Sequence, residues 1–319
     1  MKISVLTATY NRANLLDKLY ASLLINSNNC PDVQLEWLVM DDGSTDNTKR
    51  IMEEYCKERL IDIKYFYQEN QGKMTAINNL VKVATGDLIV ECDSDDYFTR
   101  DAFRVVVQAL QACKDMGETY ALVFLKYTKD GQNMGNNFIE DDYPSTMFDL
   151  YFKNGITGEK ALVYNASIRK QFEYKLEHNE KFVTEARLHH EMDLQYQVRC
   201  FNRPIMICEY QKEGYTQNIN KLFSESPFGY YSYFKEIFNQ DMRGVTFKKR
   251  LYVYKHYILF SVLTKEKHPI KNVNGLFNKI MVAILFVPGK IATKIRIKKL
   301  WLYLPTYAKF PSKFNLFSH

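Results

Sequence analysis

Short apolar runs alternate with amphipathic stretches through the first part of the chain. The runs have the length of buried strands, and the stretches repeat their apolar residues every three or four positions. The predicted strands are Ile3–Thr7, Leu35–Met40, Ile61–Tyr67, Asp87–Cys92 and Tyr120–Leu125. The predicted helices are Asn14–Leu24, Asp46–Arg59, Gly72–Ala84 and Thr99–Met116. This βα rhythm predicts an α/β fold whose mostly parallel sheet is covered by helices on both faces.

The second part of the chain has a less regular pattern. Residues 126–154 are polar and predict a loop over a site. Later elements are predicted as a strand over Ala161–Asn165, a helix over Thr184–Cys200 and a strand over Ile205–Tyr210. From about Phe223 the sequence is rich in Tyr and Phe and predicts helices. We therefore expect an α/β domain over residues 1–215 and a helical, basic, aromatic region over residues 216–319.

Polar and turn-forming residues follow each of the first four predicted strands. The four segments are Ala8–Arg12, Asp41–Asp46, Glu69–Lys73 and Asp93–Asp96. Ligands of parallel sheets bind at the carboxyl ends of the strands, where these segments would meet. One polar strand end means little, but four at the same edge predict a binding site.

The sharpest of these segments is Asp93-Ser94-Asp95-Asp96. Two carboxylates two positions apart suit Mg²⁺ or Mn²⁺, which bind one or two carboxylates together with diphosphate oxygens and water. A solvated acidic turn before the helix near Thr99 is the structural alternative. An EF-hand is excluded, because no Gly and no distal Glu stand at the required spacing.

The other strand ends allow two interpretations each. Asp42 would accept a hydrogen bond from a nucleobase, or lie in a turn while Asp46 caps the next helix. Lys73 follows Gly72 at a predicted helix start, where a cation and a helix N-terminus together favour a phosphate. The alternative is a turn at Gly72 with a solvated lysine.

Taken in order and spacing, these segments resemble family 2 glycosyltransferases of the GT-A fold. The resemblance covers roughly the first 100 residues and rests on five segments: Leu6–Arg12, Asp41–Thr48, Glu69–Gly72, Ala84–Asp87 and Asp93–Asp96. It implies a nucleotide-sugar donor, most often a UDP-sugar, and a transfer that inverts the anomeric centre. Within this family the sequence is similar to bacterial polysaccharide-biosynthesis transferases.

The resemblance also implies site roles by position. The implied donor-binding residues are Ala8, Thr9, Tyr10, Arg12, Asp42, Lys73, Asp93 and Ser94. Asp95, with Asp93, would hold Mg²⁺ or Mn²⁺, and Asp96 is a less certain member of the site. Ile77 stands where the family often has a basic residue, so neutralisation of the diphosphate would fall to Lys73.

An inverting transfer needs a general base, and the run Glu180–Leu188 matches the family's segment for it. Glu185 is the expected base, although Ala186 breaks the usual acidic pair; Glu191 and Asp193 are the runners-up. Lys160, in a Gly-Glu-Lys-Ala run similar to a "GDK" run of these relatives, would lie near the donor sugar or acceptor. The broken pair also motivates an alternative function, a non-catalytic nucleotide-binding or membrane-docking protein that kept the fold.

Composition and charge narrow the class further. The chain has 319 residues, of which 14% are aromatic, and this excludes disorder as the main state. Six scattered cysteines without a C-x-x-C pair favour reduced core thiols and a cytosolic chain. Residues 241–319 hold 16 Lys and Arg against 2 acidic residues, whereas the preceding part is net acidic. This asymmetry argues against a uniformly basic nucleic-acid binder and indicates one surface directed at an anionic partner.

The basic end of the chain also bears on the membrane. Basic residues alternate there with Ile, Leu, Trp and Tyr, which suits a helix in the headgroup region of an anionic membrane and a lipid-linked or glycan acceptor. The alternative is a helical region that packs on the catalytic core or on a second copy. The longest apolar run nearby, residues 280–287, is too short to span a bilayer, and Met1 leads directly into a strand. We therefore expect no transmembrane span and no export signal, and a peripheral position on the inner face of the plasma membrane.

Overall fold

The computed structural model describes residues 1–113, 116–209 and 219–302, and these residues form alternating strands and helices. The strands are β1 (Lys2–Thr9), β2 (Gln34–Asp41), β3 (Asp62–Tyr67), β4 (Leu88–Glu91), β5 (Asp96–Phe98), β6 (Thr119–Thr128), β7 (Tyr143–Ser145), β8 (Lys160–Asn165) and β9 (Gln197–Cys208). The helices are α1 (Leu16–Asn29), α2 (Thr48–Glu58), α3 (Lys73–Val83), α4 (Ala102–Ala112), α5 (Met147–Phe152), α6 (Ala166–Arg169), α7 (Glu185–Met192), α8 (Ile219–Glu225), α9 (Pro227–Glu236), α10 (Phe247–Leu263) and α11 (Leu276–Leu302).

The strands join one sheet in the order β3-β2-β1-β4-β8-β6-β9-β5, with β7 beside β9. β3, β2, β1 and β4 are parallel, so their carboxyl ends share one edge, as the βα rhythm predicts. The rest of the sheet is mixed. β8 lies antiparallel between β4 and β6, and β9 is parallel to β6.

Helices cover both faces of the sheet, and the alternation of side chains along each strand explains how. Ile3 and Val5 of β1 belong to a core cluster with residues of α1 and α4, whereas Leu6 belongs to a second cluster with residues of α3. All three are fully buried. Burial of such a side chain contributes about 1.5–3 kcal/mol, so both clusters hold the sheet in place.

One predicted helix is partly a strand. The pattern predicts helix over Thr184–Cys200, but α7 ends at Met192 and β9 begins at Gln197. Val198 and Cys200 are fully buried and pair with β6. So short a segment of mixed polar and apolar residues does not distinguish a helix from a strand, and the long-range ladder with β6 decides for the strand. The predicted strand from Ile205 is the second half of β9, while Tyr210 lies outside the described residues.

The predicted helix at Asp46 begins two residues later. α2 starts at Thr48, whose backbone N–H donates to Asp46 Oδ1 at 3.0 Å. The other carboxylate oxygen accepts the N–H of Ala13, also at 3.0 Å. Asp46 therefore binds an N–H group at the start of α2 and another in the loop after β1, so its role is structural.

The C-terminal helices pack on the α/β part of the chain through a third core cluster. Phe148 of α5 belongs to this cluster together with aromatic residues of α9 and α10, such as Phe234 and Phe260. The expected boundary at residue 215 lies outside the described residues. The six cysteines are free thiols, and Cys92, Cys113, Cys200 and Cys208 are buried, as expected.

The expectation that no segment is long and apolar enough to span a membrane is wrong, because α11 is such a segment. Within it, the 20 residues Leu276–Ile295 have a mean hydropathy of 1.5, and 11% of the stretch is buried. The run of consecutive apolar residues ends before Pro288, but the helix continues through that proline. At 1.5 Å per residue such a helix has the length of a bilayer core. Length and composition alone do not show that it spans one.

Candidate active site

The loops after the parallel strands are tied to one another at the shared edge of the sheet. Asn11, in the left-handed region at φ 51°, donates its N–H to Ser44 Oγ at 2.9 Å. Its side-chain oxygen accepts the N–H of Thr45 at 2.8 Å. Arg12 then reaches Asp95, with 3.5 Å between the guanidinium and a carboxylate oxygen. These contacts connect three of the four predicted segments, and the hydrogen bonds of Asp42 with Gln71 and Gly72 connect the fourth.

The carboxylate of Asp42 has hydrogen-bond partners that the sequence did not reveal. It is 4% exposed, and its carboxylate accepts the backbone N–H groups of Gln71 and Gly72 and the side-chain amide of Gln68, each at 2.8 Å. Asp42 thus satisfies donors at the start of α3, where an anion is favourable. The N–H groups at the start of α3 are therefore already bound by a carboxylate. Binding of a nucleobase by Asp42 stays a prediction.

Lys73 is the cation at which distant parts of the chain meet. Its ammonium lies 2.6 Å from Asp93 Oδ1 and 2.8 Å from Glu185 Oε1. The lysine side chain is 20% exposed, whereas the two carboxylates are nearly half exposed. Burial opposes the charge of Lys73, but the two carboxylates raise its pKa well above the ordinary value. Conversely, the charge of Lys73 lowers the pKa of Glu185, so this carboxyl is ionised at neutral pH.

The four residues after β4 separate into two kinds. Asp93 and Asp95 remain partly exposed beside Lys73 and Arg12. Ser94 is buried, and Asp96 is 3% exposed in β5, where it pairs with Lys126 at 2.8 Å. Burial and the neighbouring carboxylates of Asp93 and Asp96 raise the pKa of Asp95 to about 6. Asp96 is therefore an internal partner, and Asp93 and Asp95 are the pair open to a ligand.

This pair is chemically suited to a divalent cation. Among the described residues no group of three or more metal-ligating side chains occurs. Mg²⁺ does not require one, because it is commonly bound by one or two carboxylates plus substrate phosphates and waters. Asp93 and Asp95 supply that number of carboxylates, and the cations Lys73 and Arg12 lie next to them.

Tyr10 and Thr9 lie at the end of β1. Tyr10 is 49% exposed and offers its ring to a ligand, whereas Thr9 is 2% exposed. The Thr9 hydroxyl is buried and makes no hydrogen bond to any of the described residues. Ala8 is half-buried beside them. The exposed ring of Tyr10 is therefore the part of this strand end that is accessible to a planar ligand.

Lys126 and Glu159 belong to the same site, and the sequence reasoning missed the first of them. Lys126 lies 2.8 Å from Asp96 and 3.6 Å from Glu159. A lysine directly after the buried run Tyr120–Leu125 is the signal that could have revealed it. Lys160, the residue that the sequence favoured, is directed elsewhere. It is 7% exposed, and its ammonium donates to the carbonyl of Thr157 at 2.8 Å.

The runners-up for the base are engaged elsewhere. Glu191 pairs with Lys175 at 2.5 Å, on a different side of α7 from Glu185. Asp193 accepts the backbone N–H groups of Met147 and Phe148, at 3.1 and 2.8 Å, and so serves the start of α5. His189 is buried and bonded to the Tyr164 hydroxyl at 2.8 Å. Of the three acidic candidates, Glu185 alone contacts Lys73 in the described structure.

A comparison with family models shows the family of this chain. The model "Glycosyl transferase family 2" matches residues 4–169, which is more than half of the chain. The chain is a family 2 glycosyltransferase. The match contains every strand-end segment described above, from Ala8 to Asp96.

Curated relatives of this glycosyltransferase include a Mycoplasma pneumoniae protein named as an uncharacterized glycosyltransferase. It is 38% identical over 132 residues, which are 40% of this chain and 42% of the relative. The poly(ribitol-phosphate) β-N-acetylglucosaminyltransferase TarS of Staphylococcus aureus is 31% identical over 104 residues, 33% of this chain and 18% of TarS. The chain thus matches less than half the length of these relatives.

Solved structures confirm the GT-A fold of this glycosyltransferase. Residues 1–349 of S. aureus TarS in complex with UDP align with a TM-score of 0.55 at 15% identity, over 98% of this chain and 94% of that one. The mannosyltransferase PcManGT from Pyrobaculum calidifontis, in complex with GDP-mannose and Mn²⁺, aligns with a TM-score of 0.52 at 16% identity, over 94% and 87%. The predicted fold class and family are therefore confirmed.

Proposed function

We propose that this glycosyltransferase moves a sugar from a UDP-sugar to a glycan or lipid-linked acceptor, with inversion, in the synthesis of a bacterial surface polysaccharide. The observation that carries the proposal is the contact of Lys73 with both Asp93 and Glu185, which brings the family's donor-side and base segments to one point. The TarS structures with UDP and UDP-GlcNAc support the choice of nucleotide.

The donor would lie along the loops after β1, β2 and β4. Tyr10 and Thr9 would receive the nucleobase near Asp42, and Asp93 the ribose or donor sugar. Lys73 and Arg12 would neutralise the diphosphate, because they are the cations that flank Asp93 and Asp95. Asp93 and Asp95 would hold Mg²⁺ or Mn²⁺, which when bound supplies further charge stabilisation to a departing diphosphate.

Glu185 would act as the general base. It takes the proton of the acceptor hydroxyl as that oxygen attacks the anomeric carbon from the side opposite the diphosphate. The bond from the anomeric carbon to the diphosphate oxygen breaks, and the electron pair leaves with the nucleotide. Lys73 lowers the pKa of Glu185, so the carboxyl is ionised at neutral pH, and movement of Lys73 toward the diphosphate would increase its basicity.

A panel of UDP-sugars tests the proposal directly. UDP-glucose, UDP-galactose, UDP-GlcNAc and UDP-GalNAc are assayed for UDP release and for thermal stabilisation, with and without Mn²⁺. A ligand that binds the native state raises its apparent stability. We expect one donor to bind more tightly with Mn²⁺ and to be slowly hydrolysed. Binding without UDP release would favour the non-catalytic alternative, and no binding of any UDP compound would refute both.

The acceptor and the membrane enter the proposal through α11. Its outward apolar stripe, here called the outer face, comprises Leu276, Phe277, Ile280, Ile284, Val287, Ile291 and Ile295, all at least 48% exposed. The opposite side packs on α10, where Gly289 lies close to Ile258 and Tyr254 bonds Asn278 at 2.6 Å. Since the side opposite the outer face contacts α10, we propose that α11 lies in the headgroup region of an anionic membrane instead of spanning it. The enzyme would then be peripheral, on the inner face of the plasma membrane.

A further inference from the structure

The proposed base stands at the start of α7, directly after a long irregular segment. Residues 172–184 contain neither helix nor strand, and Glu185 is the first residue of α7. An irregular segment of this length does not by itself fix a side chain to the precision that proton transfer needs. The contacts of the segment therefore decide where Glu185 lies.

One side of the segment is held by the loop before α3. Lys181 donates its ammonium to the backbone and side-chain oxygens of Asn70, at 2.8 and 2.7 Å. Gly72 lies so close that a Cβ there would stand 2.3 Å from the carbonyl oxygen of Lys181. This side belongs to the donor-binding edge of the sheet.

The other side is held by α9 of the C-terminal region. Glu180 accepts the backbone N–H groups of Phe228 and Gly229, at 2.8 and 2.7 Å, in the first turn of α9. His178 stacks on the Phe228 ring with centroids 3.7 Å apart. A carboxylate at a helix N-terminus makes charge-assisted hydrogen bonds that also benefit from the helix dipole.

The far end of α9 holds Arg187, which lies two residues after Glu185 in the first turn of α7. Arg187 binds Glu236, the last residue of α9, through two parallel hydrogen bonds of 2.9 and 2.8 Å. Its third nitrogen lies 2.9 Å from Glu177 in the irregular segment. The side chain of Arg187 is 8% exposed and that of Glu236 is 33% exposed, so the guanidinium is the shielded partner of the pair.

We propose that Glu180 and Arg187 are positioning residues, which hold Glu185 in place by binding the two ends of α9. The inference rests on the proposed role of Glu185 as base. Under it, the C-terminal helices are part of the catalytic apparatus. α9 holds residues 177–187 at both of its ends. α10 packs on α9 through the stacked rings of Tyr230 and Phe260, whose centroids are 5.1 Å apart.

The test compares two Arg–carboxylate pairs of the same chemistry. Glu236→Gln weakens the pair with Arg187, and Asp142→Asn weakens the bidentate pair of Asp142 with Arg199 on β9. The assay measures hydrolysis of the UDP-sugar donor as UDP release. We expect Glu236→Gln to lower kcat in this assay by about tenfold to a hundredfold and to change KM for the donor by less than about twofold. Asp142→Asn should leave kcat within about twofold. Glu180→Gln, which keeps one acceptor oxygen, should lower kcat by less than Glu180→Ala.

Amide hydrogen exchange gives a second readout that needs no substrate. Exchange over residues 180–190 should accelerate in Glu236→Gln and Glu180→Ala and stay unchanged in Asp142→Asn. Unchanged exchange in that range, or equal kcat losses in Glu236→Gln and Asp142→Asn, would overturn the positioning role. Glu185→Gln separates the two proposals. If the Glu185→Gln variant still releases UDP, the assignment of the base fails. If that variant is inactive while Glu236→Gln is fully active, only the positioning role is refuted.

Discussion

The ammonium of Lys73 lies 2.8 Å from Glu185 Oε1, although the two residues are 112 positions apart in the chain. The same ammonium lies 2.6 Å from Asp93. Lys73 comes from the start of α3, Asp93 follows β4, and Glu185 begins α7. One cation therefore joins the donor edge of the sheet to the helix that carries the proposed base.

Glu185→Gln should abolish most turnover and leave the fold intact. Loss of a general base costs about a hundredfold to ten-thousandfold in rate. Nucleotide affinity should change little, because the amide keeps the size of the side chain. The measurement is steady-state UDP release, with UDP binding measured alongside.

Glu191→Gln is the matched control, because Glu191 lies on the same helix but pairs with Lys175. It should retain turnover within a few-fold of the wild type. The reverse pattern, an active Glu185 variant and an inactive Glu191 variant, would move the base to Glu191.

Asp95→Asn should remove the Mn²⁺-dependent part of donor binding. We expect the loss of affinity to equal or exceed the roughly tenfold to hundredfold cost of changing an outer-sphere partner of a metal. Thermal stabilisation by UDP, measured with and without Mn²⁺, reports it. Asp101→Asn, a change to an exposed carboxylate at the start of α4, should keep the difference between the two conditions. A variant at Asp95 that still responds fully to Mn²⁺ would refute the metal assignment.

Gly72→Ala should destabilise the protein by more than Gly131→Ala does. Both glycines have positive φ, +95° and +75°, where a side chain costs about 1–2 kcal/mol. Gly131 has open space around it, whereas a Cβ at position 72 would stand 2.3 Å from the Lys181 carbonyl oxygen. Urea unfolding of the two variants measures the difference. Equal losses would show that the close approach of Lys181 to the α3 loop does not contribute to stability.

Glu36 should contribute stability that is lost in acid. It is fully buried; burial raises its pKa, but hydrogen bonds from Ser4, Thr85 and Lys2 outweigh that effect, and the net pKa lies below the ordinary value of 4.5. A depressed folded-state pKa gives stability that is present above about pH 4.5 and lost as the pH falls below it. Glu36→Gln should therefore lose about 1–3 kcal/mol at pH 7 and show a flatter decline below pH 4.5. Urea unfolding between pH 7 and pH 3 tests this, and parallel curves for the two proteins would contradict it.

Charges on the outer face of α11 should prevent binding to anionic vesicles. Ile284 and Ile291 are 64% and 56% exposed, so an aspartate at both positions is tolerated by the fold. We expect the wild type to sediment with phosphatidylglycerol vesicles more than with phosphatidylcholine vesicles, and less so at high salt. The double variant should stay in solution, and Ile270→Asp, an exposed position outside α11, should bind as the wild type does. Vesicle binding by the double variant would refute the role of this face.

The candidate site was predictable from the sequence to the extent that local chemistry defines it. The segments at Asp42, Lys73 and Asp93 follow strands whose apolar runs are unambiguous, so their common edge could be derived. The partners of Asp42 could not, because its three hydrogen bonds come from the loop before α3. The run Gly158–Ala161 does not reveal that Glu159 lies beside Lys126 while Lys160 binds the Thr157 carbonyl, because these contacts depend on the tertiary structure.

The sequence by itself determined the α/β alternation, the family and the strand-end carboxylates, because periodicity and turn chemistry act over a few residues. The tertiary structure alone decided that Val198 and Cys200 form a strand, that β8 separates β4 from β6, and that Glu185 contacts Lys73. Each of these depends on contacts between residues far apart in the chain, whose free energy no local pattern records. The fixing of the base segment by α9 is of the same kind, since Glu180 and Arg187 find their partners 48 and 49 residues away.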